Sequence, residues 1–224
     1  MTKIKVCGLM NKKDIDLCIK TGVDILGFVV EYPLPVPWNL TTPQAEKLIA
    51  AVPASVNTSI VVGGSVERII RIVDDTHPDI VQLHYKETLK EIEALAQVLS
   101  RRDIKVVKAL CLDSEGRCNF EISDPILAVK ELSKTGISAI LIDSYTTSRP
   151  GGTGVQVDVT TFRNIQQECS LPLILAGGLN PENITTIVKN LHPYAVDVLT
   201  GVENEPNNKD INKLNEFVKG CRVI

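Results

Sequence analysis

Eight short apolar runs, each followed by a longer stretch with helical spacing, constrain the fold of this chain more than any other feature. The runs are rich in Ile, Val and Leu and are apolar enough to be covered on both faces, as parallel strands are. In chain order they read KIKVC, DILGFVV, TSIVVGG, DIVQLH, IKVVKAL, SAILIDS, PLILAGG and AVDVLTG. The intervening stretches are predicted helices, as where Ala45, Leu48, Ile49 and Val52 follow a Thr42-Pro43 start.

This alternation predicts an α/β fold, a single (β/α)8 TIM barrel domain over residues 1–224, because eight strand-then-helix units are the number that closes such a barrel. The alternative is an open doubly wound sheet. Against the open sheet, no Gly-x-Gly-x-x-Gly motif follows the first run, and no Gly-x-x-x-x-Gly-Lys-Ser/Thr motif occurs in the sequence. No linker rich in Gly and Ser divides the chain into two domains.

Composition and charge argue against several classes of protein. The net charge is −3 and the lysines are scattered, so no basic stripe indicates binding to nucleic acid or to an anionic membrane, and a small-molecule ligand is favoured. No stretch reaches the roughly 18 apolar residues of a membrane span, and the N-terminus lacks an export signal, so we expect a cytoplasmic protein. The six cysteines are expected to be free thiols, and the spacing of cysteines and histidines predicts no metal site.

The carboxyl ends of the predicted strands define a candidate active site, because chemistry in such barrels takes place at that end. Polar residues, cysteines and glycines collect there. In chain order the strand ends are Cys7-Gly8, Glu31, Gly63-Gly64, His84, Leu110-Cys111, Asp143-Ser144, Gly177-Gly178 and Thr200-Gly201.

The last two strand ends, AGGLNPENI and LTGVE, predict a phosphate site. Backbone N–H groups at the start of a helix bind anions, and glycine lets a phosphate approach the backbone closely. Strands 7 and 8 are also where such barrels usually hold phosphate. Tight turns alone would explain one such loop, whereas two adjacent loops favour a phosphorylated ligand. The predicted contacts come from Gly177, Gly178, Asn180, Thr200 and Gly201.

Seven motifs in this order resemble the phosphoribosylanthranilate isomerase family over nearly the whole chain. They are KVCGL, GFVVE, VQLH, LIDS with GGTG, AGGLNPENI, VDVLTGVE, and KD before the last helix. The resemblance implies an enzyme of tryptophan biosynthesis that needs no cofactor. Its reaction is the Amadori rearrangement of N-(5′-phosphoribosyl)anthranilate to 1-(2-carboxyphenylamino)-1-deoxyribulose 5-phosphate. We expect this phosphorylated small molecule as the partner, and a monomer or a homodimer.

The resemblance also implies the catalytic pair, with Cys7 as general base and Asp143 as general acid. An Amadori rearrangement needs an acid to protonate the ring oxygen of the sugar and a base to remove the C2′ proton. A thiolate is suitable if its pKa is lowered, for which Lys5 and Lys108 are the candidate cations. The aspartic acid must be kept protonated by burial or by a neighbouring negative charge. The structural alternative for Cys7 is a small buried side chain.

The other candidate side chains each have two interpretations. His84 is expected to line the pocket or to be a hydrogen-bonded structural histidine. Asp197 is expected to orient the substrate or to complete a buried polar network. Gly152 and Gly154 are expected to fold over the ligand or to belong to a surface loop.

One departure from the family concerns the loop after the second strand. Members of the family usually carry an SPR-type motif there, with an arginine that engages the anthranilate. This chain has Trp38 at that point of EYPLPVPWNLTTP, and no arginine occurs in residues 1–67. A guanidinium forms two charge-assisted bonds with a carboxylate, whereas an indole has a single N–H donor. We expect Trp38 to stack on the aromatic ring of the substrate or to anchor its loop.

The departure leaves three hypotheses for the function. The first is the isomerase itself. The second is a related barrel isomerase or epimerase that acts on a different phosphorylated sugar. The third is a non-catalytic barrel that binds a phosphorylated ligand, against which the presence of both Cys7 and Asp143 argues, because phosphate binding needs neither.

Overall fold

A computed structural model describes residues 1–144 and 157–222 of the chain. Within these residues, eight parallel strands pair in chain order, and the first strand also pairs with the last, which closes the sheet into a barrel. This closure confirms the barrel and excludes the open sheet. The strands are β1 (Lys3–Val6), β2 (Ile25–Val30), β3 (Asn57–Val62), β4 (Ile80–Leu83), β5 (Lys105–Leu112), β6 (Ala139–Ser144), β7 (Leu173–Leu175) and β8 (Ala195–Val198).

A helix follows each strand in the described part of the chain. The N-termini use the caps that the sequence carries, such as Ser65, whose side chain accepts the Arg68 N–H, and Asp210, which accepts the N–H groups of Asn212 and Lys213. The helices are α1 (Lys12–Thr21), α2 (Thr42–Ala50), α3 (Val66–Thr76), α4 (Leu89–Ser100), α5 (Pro125–Leu132), α6 (Val159–Glu168), α7 (Ile184–Leu191) and α8 (Ile211–Cys221).

Four shorter elements of the described residues lie near the carboxyl ends of the strands. A two-residue strand, Asn39–Leu40, pairs with β2. The 3-10 helix Thr200–Val202 follows β8, and the antiparallel strands Glu203–Glu205 and Asn208–Lys209 come directly after it. No helix in the described residues is long and apolar enough to cross a membrane.

The apolar core has two layers because side chains alternate between the two faces of each strand. The larger layer lies between the strands and the helices and contains Ile4 and Val6 of β1. The smaller layer fills the barrel interior with Ile25, Ile80, Val107, Ala109, Ala139, Leu141, Ile174, Ala176 and Ala195. The candidate functional side chains at the carboxyl ends of the strands therefore lie directly above the apolar barrel interior.

Candidate active site

A cavity of about 200 Å³ opens at the carboxyl ends of the strands. Every residue within the described ranges that the sequence analysis assigned a catalytic or binding role lines it, whereas Gly152 and Gly154 lie outside the described residues. In the described part of the chain, no group of three or more His, Cys, Asp and Glu side chains is placed to hold a metal ion. The predicted residues that line the cavity are Cys7, Trp38, His84, Asp143, Gly177, Gly178, Asn180, Asp197, Thr200 and Gly201.

Cys7 follows β1 and faces the barrel axis together with Lys5, two residues earlier on the same strand. Its sulfur packs against the backbone of Gly27 on β2, where a Cβ atom would come within 2.9 Å of Sγ, so only glycine permits this approach. Burial raises the pKa of Cys7, and the Lys5 ammonium opposes this shift. The condition of a lowered pKa is therefore not met in this structure, because desolvation of the thiolate outweighs the effect of the neighbouring cation.

Lys5 and Asp197 form a buried ion pair next to Cys7. The two residues are direct partners in the β1–β8 register, and Lys5 Nζ lies 2.6 Å from Asp197 Oδ2. Burial lowers the pKa of Lys5, but Asp197 and Cys7 together raise it by more, so the pKa of Lys5 lies above its ordinary value. Asp197 Oδ1 is buried and has no hydrogen-bond partner among the described residues. Asp197 thus lines the cavity and belongs to a buried polar network with Lys5.

Lys108, the other candidate cation for Cys7, lies on the opposite side of the barrel wall. Its strand neighbours Val107 and Ala109 belong to the barrel interior, so Lys108 faces the helices. There its Nζ lies 2.6 Å from Glu87 Oε2 and 2.9 Å from Tyr85 O. The expectation that Lys108 acts on Cys7 is therefore wrong, because the alternation of β5 turns it away from the cavity.

Asp143 lies near the end of β6 with its side chain in the cavity. Its Oδ1 accepts the N–H of Ser144 at 2.7 Å, and its Oδ2 lies 3.9 Å from His84 Nε2. Burial raises the pKa of Asp143 to about 7. A large fraction of the carboxyl group is therefore protonated near neutral pH, as a general acid requires, and burial is the main cause among the two that the sequence left open.

His84 is held by hydrogen bonds and lines the cavity. Its Nδ1 lies 3.0 Å from Gln82 Nε2. His84 Nε2 lies 3.4 Å from Cys111 Sγ. Gln82 was not among the predicted site residues. Its position two residues before His84, which places both side chains on one face of the strand, is the signal that could have identified it.

Trp38 lies in the loop between β2 and α2 and covers the turn after Cys7. A Cβ atom on Gly8 would come within 3.0 Å of indole Cδ1 and within 3.1 Å of Leu199 Cγ. The loop is fixed by Asn39, whose Oδ1 accepts the Tyr32 N–H at 2.8 Å and whose Nδ2 donates to Tyr32 O at 3.0 Å. The indole Nε1 is buried and has no hydrogen-bond partner among the described residues. An apolar wall, defined as Val29, Tyr32, Val36, Trp38 and Val61, lines this side of the cavity.

Glu31, at the end of β2, does not belong to the lining of the cavity. Its Oε1 accepts a hydrogen bond from the Thr42 hydroxyl at 2.8 Å, and Arg68 of α3 donates to its carbonyl oxygen at 2.6 Å. Glu31 therefore joins α2 and α3 to the end of β2. The contact brings a guanidinium to a loop that has no arginine of its own.

The two predicted phosphate loops touch each other. A Cβ atom on Gly201 would come within 1.9 Å of Leu179 O, so the two backbones are in direct contact. Gly177 and Gly178 both have positive φ, 85° and 62°, which glycine adopts without strain. α7 begins at Ile184 and not directly after the Asn180-Pro181 pair, because a turn comes first in which the Asn180 side chain accepts the N–H groups of residues 182 and 183. Asn180 thus shapes the loop through its side chain.

Comparisons with known proteins agree with one another. Residues 4–220 match the family described as N-(5′-phosphoribosyl)anthranilate (PRA) isomerase. A protein named N-(5′-phosphoribosyl)anthranilate isomerase from Methanosarcina acetivorans is 33% identical over 226 residues, which cover 99% of this chain and 93% of that protein. A protein of the same name from Acinetobacter calcoaceticus is 31% identical over 222 residues, covering 99% of this chain and 97% of that protein.

Solved structures show the same relationship. The crystal structure of phosphoribosyl anthranilate isomerase from Thermotoga maritima matches with a TM-score of 0.83 at 27% identity, covering 100% of both chains. A phosphoribosyl anthranilate isomerase in complex with reduced 1-(o-carboxyphenylamino)-1-deoxyribulose 5-phosphate matches with a TM-score of 0.79 at 26% identity, again over 100% of both chains.

Proposed function

This chain belongs to the N-(5′-phosphoribosyl)anthranilate isomerase family, a family of aldose–ketose isomerases, and from that premise we propose that it catalyses the family's Amadori rearrangement with Cys7 as base and Asp143 as acid. The substrate is N-(5′-phosphoribosyl)anthranilate and the product is 1-(2-carboxyphenylamino)-1-deoxyribulose 5-phosphate. The observation that carries the proposal is that a buried thiol and a carboxyl group with a pKa of about 7 open into one cavity.

The proposed steps move two protons. Asp143 gives its proton to the ring oxygen of the ribose, the C1′–O bond breaks, and the nitrogen lone pair forms an iminium group. The Cys7 thiolate then removes the C2′ proton, which leaves an enaminol that tautomerises to the ketose. Proton exchange with water restores the Asp143 acid and the Cys7 thiolate. These steps use side-chain acid and base groups and call for no cofactor.

The thiol must ionise against its burial for this mechanism to work. Since the pKa of Cys7 is raised and that of Asp143 is about 7, the form with an ionised thiol and a protonated carboxyl group is a minority species. The rate is then expected to rise with pH up to about 7, to level off, and to fall once Asp143 is fully ionised and Cys7 no longer gains ionisation.

The phosphate group of the substrate is proposed to bind between loops 177–180 and 200–202. Their direct contact and the positive φ angles of Gly177 and Gly178 support this site. Inorganic phosphate should therefore protect the protein against thermal unfolding, by about 2.7 kcal/mol at 100 times its dissociation constant. Replacing Gly201 by alanine, which puts a Cβ atom against Leu179 O, should remove that protection. Equal protection of both proteins would place the anion elsewhere.

A second candidate function is suggested by the apolar wall. No lysine or arginine of the described residues lines the cavity, so these residues offer the anthranilate carboxylate no cation of the kind that the family uses. This favours a related isomerase or epimerase that acts on another phosphorylated sugar. The test is a direct assay in which phosphoribosylanthranilate is generated in situ and the loss of its fluorescence is followed. Turnover supports the first function, and its absence with a folded protein supports the second.

A further inference from the structure

The buried charges beside Cys7 have no evident role in packing. The barrel interior below them is filled by small and medium apolar side chains, and an apolar pair would fit the same environment. Lys5 and Asp197 are instead both withdrawn from water, with side chains only 3% and 8% exposed. Replacing a buried ion pair by apolar residues is often neutral or stabilising, so the pair is poorly explained by stability alone.

We propose that Lys5 is a positioning residue for the general base, that its ammonium group stabilises the Cys7 thiolate, and that Asp197 keeps Lys5 charged while limiting this stabilisation. The inference rests on the proposed function only where it gives Cys7 the role of base. The contact geometry holds whatever the substrate is.

The arrangement of the three side chains supports a shared ammonium group. Lys5 and Cys7 are two residues apart on one strand edge and face the same interior, and Asp197 lies opposite Lys5 on β8. An ammonium group has three donors, and Asp197 Oδ2 accepts one of them at 2.6 Å. Lys5 and Cys7 are separated by one residue on the same side of the strand, and the ammonium charge lowers the pKa of Cys7 that burial raises.

Asp197 acts on the thiol in the opposite direction. Its negative charge raises the pKa of Cys7, after burial and against the lowering effect of Lys5. Because Asp197 Oδ1 has no hydrogen-bond partner among the described residues, the carboxylate depends on Lys5 for its stabilisation. The carboxylate and the thiolate therefore compete for one ammonium charge.

Other charged groups face this cluster from neighbouring elements. Lys209 also lowers the pKa of Cys7, but its Nζ is held by Glu203 Oε1 at 2.8 Å and by Leu199 O at 2.9 Å. Asp143 faces the cluster from β6, and its own pKa responds to Asp197 and Lys5 after the dominant effect of burial. Among the described cations, the charge of Lys5 has the largest lowering effect on the pKa of Cys7, so its removal should have the largest effect.

The test measures how fast iodoacetamide alkylates Cys7 in the intact protein without substrate, from about pH 6 to about pH 10, with peptide mapping to separate Cys7 from the other cysteines. Lys5→Met should slow alkylation about tenfold or more at about pH 8, because a nearby opposite charge shifts a pKa by about one to three units. Asp197→Asn should accelerate it, because the carboxylate that competes with the thiolate for the Lys5 charge is then neutral.

Two further variants keep the result interpretable if Lys5→Met folds poorly. Lys5→Met/Asp197→Asn has no uncompensated charge, and it should be alkylated more slowly than the wild type, because the lowering effect of Lys5 on the pKa of Cys7 is larger than the raising effect of Asp197. Lys108→Met removes a lysine from a comparable buried pair outside the barrel and should leave the rate unchanged. Wild-type rates in the double variant, or slower alkylation of Asp197→Asn, would overturn the proposal. Since no substrate is present, an inactive protein with these alkylation rates would contradict the proposed function alone.

Discussion

Two buried ion pairs on opposite sides of the barrel wall can be compared directly. Lys5–Asp197 and Lys108–Glu87 have the same Nζ to carboxylate oxygen distance, 2.6 Å, and all four side chains are at least nine-tenths buried. The pair inside the barrel lies beside the Cys7 thiol. The pair outside it lies under the loop that follows β4.

The outer pair, Lys108–Glu87, forms hydrogen bonds with backbone groups, and neither residue lines the cavity. Lys108 Nζ donates to Tyr85 O, and Glu87 Oε2 accepts the Tyr85 N–H at 3.2 Å. These bonds fix the segment that directly follows His84, and the Tyr85 ring packs edge-on against Tyr32. Burial and pairing are therefore the same for the two pairs, and the face of the strand decides whether a buried charge acts on a reacting group or supports a loop.

The largest expected effect is on the inner face, where Asp143→Asn and Cys7→Ala should each lower kcat by about 10² to 10⁴-fold with the fold retained. Each substitution removes one partner of a proton transfer and keeps most of the side-chain volume. Steady-state assays with circular dichroism as a check on folding would measure this. More than a tenth of the wild-type rate in Cys7→Ala would rule out Cys7 as the base.

A substitution in the outer pair tests whether the two faces of the barrel wall differ in function. Lys108→Met leaves the Glu87 carboxylate buried without its cation and should lower the free energy of unfolding by about 3 to 5 kcal/mol, while kcat of the folded protein changes only a few-fold. Lys108→Met/Glu87→Gln should recover part of that loss. Urea denaturation and assays on the same samples would show it. A loss of kcat as large as that of Asp143→Asn would mean that the two faces are not functionally distinct.

The sequence allowed most of the fold to be predicted, but it did not show for every strand which side chains face the barrel interior. Alternation could be followed on β1, where a lysine and a cysteine stand two residues apart between apolar residues. It could not be followed on IKVVKAL, because a strand that is covered on both faces has apolar residues at both kinds of position. The sequence therefore does not show which face of the strand Lys108 occupies, and the register of β5 is needed to place it.

The site could be predicted where it depends on strand ends and not where it depends on desolvation or loop packing. Cys7, His84, Asp143 and the glycine loops follow from chain order. The rise in the pKa of Cys7 does not, because a sequence shows the neighbouring Lys5 but not how completely both groups are removed from water. The position of Trp38 against Gly8 also depends on the hydrogen bonds with which Asn39 fixes the loop.

A smaller effect concerns stability at the inner face, where Asp143 is buried without a lysine or arginine partner among the described residues. Its pKa is about 7 in the folded protein against 3.8 as the reference, so the folded state binds more protons between these values and stability falls as pH rises through them. Asp143→Asn should therefore be more stable than the wild type at neutral pH, by about 2 to 4 kcal/mol.

Thermal or urea unfolding at several pH values would measure this difference. It should shrink toward zero below about pH 3, where the wild-type carboxyl group is protonated in both the folded and the unfolded state. Glu87→Gln provides the contrast on the outer face, because that carboxylate is paired with Lys108 and its loss leaves the lysine uncompensated. A stabilising Glu87→Gln or a destabilising Asp143→Asn would reverse the distinction between the two faces.

The smallest expected effect is at the rim of the inner face, where Trp38 covers Gly8 next to Cys7. If the indole stacks on the anthranilate ring, Trp38→Ala should raise KM about tenfold, Trp38→Phe should keep KM within a few-fold because it retains a ring, and kcat should change little in either. Trp38→Arg should supply a contact to the carboxylate and preserve or raise kcat/KM. An inactive wild type and an active Trp38→Arg would identify a diverged enzyme with another phosphorylated substrate. If Trp38→Ala and Trp38→Arg both lose stability while activity per folded molecule is unchanged, Trp38 is an anchor of its loop. It then takes no part in substrate binding on the inner face.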